Sequence, residues 1–121
     1  MYWYPDRDFI IRIHDEMIRE FGGHHGFERG INLFDVVVKW VKETRGSLYR
    51  KAAVFLKSLV SVRIFADGNH RTAFEVTDVF LRMNGGQIKI TDERKVIRFI
   101  KDIKNYSIEE IEAWLRHGEA P

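Results

Sequence analysis

The feature that most constrains this fold is a long segment with apolar residues on nearly every side. From about Leu48 to Arg63, small and large apolar residues recur at helical spacing: Ala52, Ala53, Phe55, Leu56, Leu59, Val60 and Val62. A helix that is apolar all round must be covered on all its faces by other elements. The segment therefore predicts a central, buried helix, and Ser47 is placed to cap its first turn.

The segments on either side of this helix have the amphipathic pattern of helices that would cover it. A first helix ends at Gly22-Gly23 and carries an apolar stripe of Phe9, Ile10, Ile13, Met17 and Phe21. A second helix begins near Asn32, and its predicted buried stripe is Leu33, Val36, Val37, Trp40 and Val41. The pattern indicates a helical fold on the amino-terminal side of the central segment.

The rest of the chain continues the helical pattern. We predict a fourth helix from Asn69 to Met83, followed by an extended link over residues 87–90. A fifth helix is predicted to begin at Thr91, and a last helix starts with the capping box of Ser107 and Glu110. The expected fold is therefore all-α, with about six helices and a short extended link, in a single domain that spans residues 1–121.

Composition narrows the classes of function. The chain has no cysteine, which excludes disulfides, thiolate nucleophiles and cysteine-bound zinc. Its formal net charge of +2 is too small to indicate a nucleic-acid-binding surface. No apolar run approaches the roughly 18 residues needed to cross a bilayer. We therefore expect a cytoplasmic protein with no membrane partner and no direct nucleic-acid partner.

The central helix leads into a polar turn that opens the next helix. A helix start offers unpaired N–H groups and a partial positive charge. Gly68 allows positive φ and close approach of the backbone to an anion, and Arg71 supplies a forked cation for phosphate oxygens. Asp67 is a hard oxygen ligand for Mg²⁺, while Asn69 is suited either to cap the helix or to donate to a phosphate. The plainer alternative is a helix–helix turn with Phe65 in the core.

The order of residues 63–72, RIFADGNHRT, resembles a known signature. It is similar to that of the Fic/Doc (Fido) family, His-x-Phe-x-[Asp/Glu]-[Gly/Ala]-Asn-x-Arg, and most of all to the Doc branch, the death-on-curing toxins. The resemblance continues in residues 13–15 and 21–23 of the first helix and in residues 80–85 after the signature. It covers roughly residues 5–90.

This resemblance implies an all-α fold and ATP-dependent modification of a hydroxyl group on a protein target. Fic proteins usually transfer AMP, whereas Doc-type toxins transfer a phosphoryl group to a translation factor and are neutralised by a partner antitoxin. By the resemblance, Asp67 would hold Mg²⁺, Gly68, Asn69 and Arg71 would cradle the phosphates of ATP, and Phe65 would anchor the turn in the core. The segment from Thr44 to Tyr49 would be the flap that aligns the target chain.

Three positions depart from the family pattern. Phe74 stands where Fic proteins have a second arginine, which favours the Doc branch. His70 replaces the lysine that is common in Doc-type signatures. Most importantly, Arg63 replaces the histidine that accepts the proton of the target hydroxyl.

Arginine cannot do the work of that histidine, because it stays protonated and has no acceptor atom. Loss of a general base typically lowers the rate by about 10²–10⁴. We therefore expect nucleotide binding with impaired turnover. Three explanations stay open: a natural pseudoenzyme, an inactivating change in a toxin, or His70 as a substitute base.

Two rival functions belong to other classes. The first is an inert interaction module that binds a partner or a nucleotide without turnover. The second is a DNA-binding helix-turn-helix, which the buried first helix and the few base-reading side chains of the second disfavour. The pair His14 and Asp15 lacks the helical spacing of metal ligands, so we expect both at the surface or at the edge of the core.

Overall fold

The computed structural model describes residues 1–90 and 92–118, and in this part of the chain it contains six α-helices. These are α1 (Arg7–Phe21), α2 (Asn32–Glu43), α3 (Leu48–Val62), α4 (Asn69–Met83), α5 (Glu93–Lys101) and α6 (Ile108–His117), with a short 3₁₀ helix, Ile103–Asn105, before α6. The all-α prediction is confirmed. That the domain spans residues 1–121 stays a prediction.

Helix α3 is the centre of the fold, as its apolar surface predicted. It packs against α2, α4 and α6. Ala52, Ala53, Phe55 and Leu56 have no exposed surface. The chain therefore enters and leaves this covered helix through two polar connections, at Ser47 and at Arg63.

Polar side chains fix the starts of most helices. Asp6 caps α1 and Ser47 caps α3, each by accepting a hydrogen bond from a first-turn N–H. Ser107 and Glu110 form the predicted capping box of α6. The predicted start of the fifth helix, Thr91, lies outside the described residues, and α5 begins at Glu93 with Asp92 as its cap.

Helix α2 differs from its prediction in one respect. Val36 and Trp40 were expected in the buried stripe, but they are 39% and 46% exposed, and Phe34 is buried instead. Because α2 packs mainly on α3, only one of its faces is covered. The apolar residues of α2 therefore extend beyond the covered face, and Val36 and Trp40 lie outside it.

The connection between α2 and α3 is held by a buried lysine. Lys51 donates from Nζ to the carbonyl oxygens of Val41, Lys42 and Thr44, at 3.0, 3.2 and 2.8 Å. These carbonyls lie in the last turn of α2 and at its C-cap, Thr44, where the regular helical hydrogen bonds end. Lys51 thus fixes the α2–α3 connection and is not part of a solvated basic surface.

The place of this connection overturns the predicted flap. Residues 44–49 lie at the amino-terminal end of α3, whereas Arg63 follows its carboxyl-terminal end. A helix of 15 residues is roughly 22 Å long. The segment from Thr44 to Tyr49 therefore cannot align a target at the signature turn. No helix within the described ranges is long and apolar enough to cross a membrane.

Candidate functional site

The candidate site is the connection between α3 and α4, residues 63–71, called here the signature turn. Helix α3 ends at Arg63, which adopts a left-handed conformation with φ 49° and ψ 63°. Ile64 and Phe65 then enter the core. Gly68, with φ 73° and ψ 17°, is the residue from which α4 starts. The positive φ predicted for Gly68 is confirmed.

The signature turn is closed by the side chain of Asn69. Its Oδ1 accepts from the backbone N–H of Phe65 at 3.0 Å, and its Nδ2 donates to the carbonyl of Phe65 at 2.7 Å. The carboxamide is buried and has both its polar atoms engaged. The side chain therefore fixes the shape of the turn and does not cap α4. Because Nδ2 carries a second hydrogen, donation from Asn69 to a phosphate stays a prediction.

A second segment pairs with the signature turn along its length. The α1–α2 loop, residues 22–31, forms an antiparallel bridge through Phe27 to Phe65. Its residue Gly26 accepts from the N–H of Ala66 at 3.0 Å, and the N–H of Glu28 donates to the carbonyl of Ile64 at 2.9 Å. This loop, and not residues 44–49, is the extended segment beside the turn.

Asp67 is held by α1 and by the start of the α1–α2 loop. Its carbonyl oxygen lies 2.7 Å from Nε2 of His14, and its Oδ2 accepts from the backbone N–H of His24 at 3.0 Å. The other carboxylate oxygen, Oδ1, makes no hydrogen bond with any described residue. Asp67 thus keeps one oxygen free to bind a cation.

Arg71 lies on the first turn of α4 and stacks on α1. Its guanidinium carbon is 3.6 Å from the centre of the Phe21 ring, a cation–π contact. Within residues 1–90 and 92–118, no carboxylate forms an ion pair with Arg71. The stack holds the cation in place and leaves its N–H groups available to an anion.

The start of α4 lacks the side-chain cap that α1, α3, α5 and α6 have. Gly68 has no side chain, and no described side chain caps the first-turn N–H groups of α4. These N–H groups carry the positive end of the helix dipole. Together with Arg71 they give the turn a positive potential.

Two neighbouring cavities meet at this helix start. The smaller, of about 220 Å³, is lined by residues 66–71 and Arg63. The larger, of about 520 Å³, lies between the end of α1, α4 and α5, and Phe74 lines it. His70 and Arg71 line both. The charged residues predicted for the site therefore share one small cavity.

Arg63 is tied to the α1–α2 loop. Its Nε donates to Oε2 of Glu28 at 2.9 Å, and both side chains are about half exposed. The guanidinium thus stands at the mouth of the smaller cavity, with an acidic partner. This is the position where the signature has a histidine.

His70 has a shifted protonation equilibrium. Although His70 is exposed overall, partial desolvation of its ring lowers the pKa of the imidazole, and the positive charges of Arg63, Lys104 and Lys101 lower it further. At neutral pH the ring is therefore mainly uncharged, with one nitrogen that is able to accept a proton.

The sequence prediction missed two α1 residues that contact the site. His14 was expected at the surface or the edge of the core, but it is 2% exposed and contacts Asp67. Phe21 was assigned to the apolar stripe of α1, yet it is 47% exposed beneath Arg71. The signal for His14 was its place four residues from both Ile10 and Ile18, which are buried.

The described residues contain no cluster of three or more histidine, aspartate or glutamate side chains placed to hold a metal ion. A cation at Asp67 would therefore need further ligands from water or from a bound phosphate group. This is the usual way in which proteins hold Mg²⁺ beside a nucleotide.

The structure is an all-α domain in which the uncapped start of α4 lies beside a carboxylate oxygen of Asp67 that makes no hydrogen bond with a described residue. A sequence model of the Fic/DOC family matches residues 4–81, more than half of the chain, including the whole signature turn. The chain belongs to the Fic/DOC family. Membership suggests AMP or phosphoryl transfer. A comparison with curated proteins found no match.

We expect Gly68→Ala to destabilise the protein more than Gly85→Ala. Both glycines have positive φ, of 73° and 88°, and alanine in this region costs about 1–2 kcal/mol. A Cβ at Gly68 would also come within 3.2 Å of Cδ1 of the buried Ile18, whereas one at Gly85 would meet no described atom within 4 Å. Chemical denaturation measures the difference, and equal losses would contradict the close packing of the turn on α1.

The shift at His70 predicts a pH effect on stability. Because its pKa is lowered in the fold, the unfolded chain binds the proton more tightly. Its contribution to the free energy of unfolding is complete above the ordinary value of about 6.5 and is lost as the pH falls through the lower folded value. Wild type should therefore lose more stability than His70→Gln between about pH 7 and pH 5.

The measurement is denaturant unfolding of both proteins over this pH range. Burial raises the pKa of Glu75, with Asp78 adding to the effect, so Glu75 contributes with the opposite sign: its stabilisation is lost as the pH rises. The Glu75 contribution is present in both wild type and His70→Gln, so the difference between the two stability curves reports His70 alone. Parallel curves would show that His70 has no lowered pKa.

Proposed function

We propose that this chain is a Doc-like transferase domain that binds Mg-ATP at the signature turn and modifies a hydroxyl group of a protein target, with catalysis impaired by Arg63. One observation carries the proposal. Asp67, Arg71 and the uncapped start of α4 line the same cavity of about 220 Å³. A carboxylate with one free oxygen, a fixed cation and uncapped N–H groups in one small space suit a metal-bound polyphosphate.

The residues present fit such a ligand. Oδ1 of Asp67 is a free hard oxygen that would bind Mg²⁺, and Arg71 with the first-turn N–H groups of α4 would bind phosphate oxygens. Gly68 contributes its backbone only. ATP, when bound, supplies the group that is transferred, and Mg²⁺ offsets the charge of its phosphates. The protein's part is to position the phosphates and exclude water from them.

The residue at the position of the second Fic arginine, Phe74, favours the Doc branch. It lines the larger cavity, and its ring makes an edge contact with Trp114 at 6.5 Å. An apolar residue that packs on the core supplies no cation for a further phosphate group. We therefore favour phosphoryl over AMP transfer, and a toxin–antitoxin setting in which the target is a translation factor and a small antitoxin is the partner.

The α1–α2 loop is the segment that we propose aligns the target. It runs antiparallel to the signature turn at Phe27, and the Phe27 side chain is 50% exposed above the Phe65 ring. An extended loop beside a reactive centre can pair with a target chain through its backbone. The loop takes the role that the sequence had assigned to residues 44–49.

Arg63 is the reason for expecting impaired turnover. A guanidinium cannot accept the proton of a target hydroxyl, and here it is bound to Glu28. His70 lines the same cavity and is mainly uncharged at neutral pH, so it is the candidate for a weak substitute base. The alternative function is an inert module that holds a partner protein without turnover.

Arg71→Ala should weaken Mg-ATP binding by about 10–100-fold, because it removes charge-assisted hydrogen bonds to phosphate. Isothermal titration with Mg-ATP measures the effect. Arg82→Ala is the matched control, since Arg82 lies on the same helix, pairs with Asp78 at 2.9 Å and lines neither cavity. Equal affinities for both variants, or no Mg-dependent binding by wild type, would favour the interaction module.

Arg63→His should raise ATP-dependent labelling of a translation factor by about 10²–10⁴, the usual contribution of a general base. Label at the γ-phosphorus of ATP reports phosphoryl transfer, and label at the α-phosphorus reports AMP transfer.

Arg63→Gln is the control for this experiment, because it removes the charge without restoring an acceptor nitrogen. If the Arg63→Gln and Arg63→His variants labelled the target equally, the base assignment would be wrong. If the Arg63→His variant bound Mg-ATP and labelled no protein, the transferase proposal would fail.

A further inference from the structure

One buried imidazole outside the signature touches the candidate metal ligand. His14 lies in the middle of α1 and is 2% exposed. Its Nε2 is 2.7 Å from the carbonyl oxygen of Asp67, and its ring stacks on Phe65 with centroids 3.7 Å apart and planes 6° apart. His14 therefore contacts both the polar and the apolar side of the turn.

The chemistry of this contact fixes the form of the imidazole. A carbonyl oxygen only accepts hydrogen bonds. Nε2 of His14 must therefore carry a proton and donate a hydrogen bond to the Asp67 carbonyl oxygen. The other nitrogen, Nδ1, is 3.9 Å from Oδ1 of Asp15, too far for a hydrogen bond. Asp15 is paired instead with Nδ1 of His25 at 3.2 Å. The Asp67 carbonyl thus requires a proton on Nε2 of His14.

Two hydrogen bonds from the same region hold Asp67 at two points. His14 binds its carbonyl oxygen, which fixes the backbone, and the N–H of His24 binds Oδ2, which fixes the carboxylate. Gly23 packs beside them, where a Cβ would come within 3.2 Å of the Cβ of Asp67. With the backbone and one oxygen held, the direction of the free Oδ1 is determined.

We propose that His14 is a positioning residue for Asp67: by donating from Nε2 to its backbone carbonyl, it aims the free carboxylate oxygen into the smaller cavity. As far as the metal is concerned, this inference rests on the proposed function. The effect of His14 on the geometry of Asp67 does not. Partners that orient a metal ligand typically change metal affinity by about 10–100-fold when they are removed.

The competing role for His14 is packing alone, through its stack on Phe65. Two substitutions separate the roles. His14→Phe keeps a ring over Phe65 and removes the donor. His14→Gln loses the ring and keeps an amide nitrogen at nearly the same distance from the backbone. If His14 positions Asp67, His14→Phe should impair the Mg²⁺ dependence and the protection of the His24 amide, and His14→Gln should preserve both. If His14 acts by packing alone, His14→Gln should impair them and His14→Phe should preserve them.

The experiment uses the full chain and two readouts. In the absence of nucleotide, ¹⁵N spectra of the wild-type imidazole should show the Nε2–H tautomer of His14, and hydrogen exchange of the His24 amide should be faster in His14→Phe than in wild type or His14→Gln. With ATP present, the Mg²⁺ concentration for half-saturation should rise by about 10–100-fold in His14→Phe only. Binding of ATP without Mg²⁺ should be little changed.

The two proposals fail in different ways. If wild type shows no Mg-dependent ATP binding, the proposed function falls, and the tautomer and the His24 amide still decide whether His14 positions Asp67. An Nδ1–H tautomer, or equal His24 exchange in wild type and His14→Phe, would overturn the positioning role. The positioning role would also be overturned if ATP binding by His14→Phe depended on Mg²⁺ as in wild type while His14→Gln needed a higher Mg²⁺ concentration.

Discussion

The burial of the apolar core of α3, from Lys51 to Val60, is the constraint on which the rest of this structure depends. Helix α3 is covered by α2, α4 and α6, and the chain enters and leaves it through two short connections. At one end, Lys51 satisfies the last carbonyls of α2. At the other, Asn69 closes the signature turn on the backbone of Phe65. The two connections differ in how the next helix begins: Ser47 caps the start of α3, whereas no described side chain caps the start of α4.

The site follows from how that second connection is supported. The carboxamide of Asn69 is hydrogen-bonded to the backbone of Phe65, and Gly68 has no side chain. The first N–H groups of α4 therefore have no side-chain cap within the described residues. Helix α1 lies beneath: His14 holds the carbonyl of Asp67, Ile18 packs against Gly68, and Phe21 stacks under Arg71. Helix α1 therefore holds two of the charged residues of the candidate site, Asp67 and Arg71. Preorganisation of this kind is what binding of a highly charged ligand requires.

Much of the fold was predictable because it depends on local patterns. Apolar periodicity predicted all six helices, and the caps at Ser47 and Ser107 follow from side chains that interact within one turn. The errors concern long-range packing. Val36 and Trp40 fit a helical stripe, but no helix covers them in the described part of the chain. The flap was placed at residues 44–49 by the family resemblance, and no local pattern shows that the α1–α2 loop pairs with the signature turn instead.

The same distinction applies to the site. The residue types of the signature turn indicate a phosphate-binding helix start, since Gly68 and Arg71 act through local geometry. The bonds of Asn69 to the backbone of Phe65 were not predicted, because a carboxamide is equally suited to cap a helix, to bind a phosphate or to bond to the backbone. The contacts of His14 with Asp67, and of Glu28 with Arg63, join residues 53 and 35 positions apart. No local pattern indicates such pairs.

The central claim is that the signature turn binds a metal–nucleotide complex, and the most direct test is to place a paramagnetic ion there. Mn²⁺ would replace Mg²⁺ with ATP while the amide signals of the ¹⁵N-labelled chain are recorded. The account predicts broadening centred on residues 67–71, with the residues at 44–47, roughly 22 Å away along α3, much less affected. Broadening centred elsewhere, or none that depends on ATP, would contradict it.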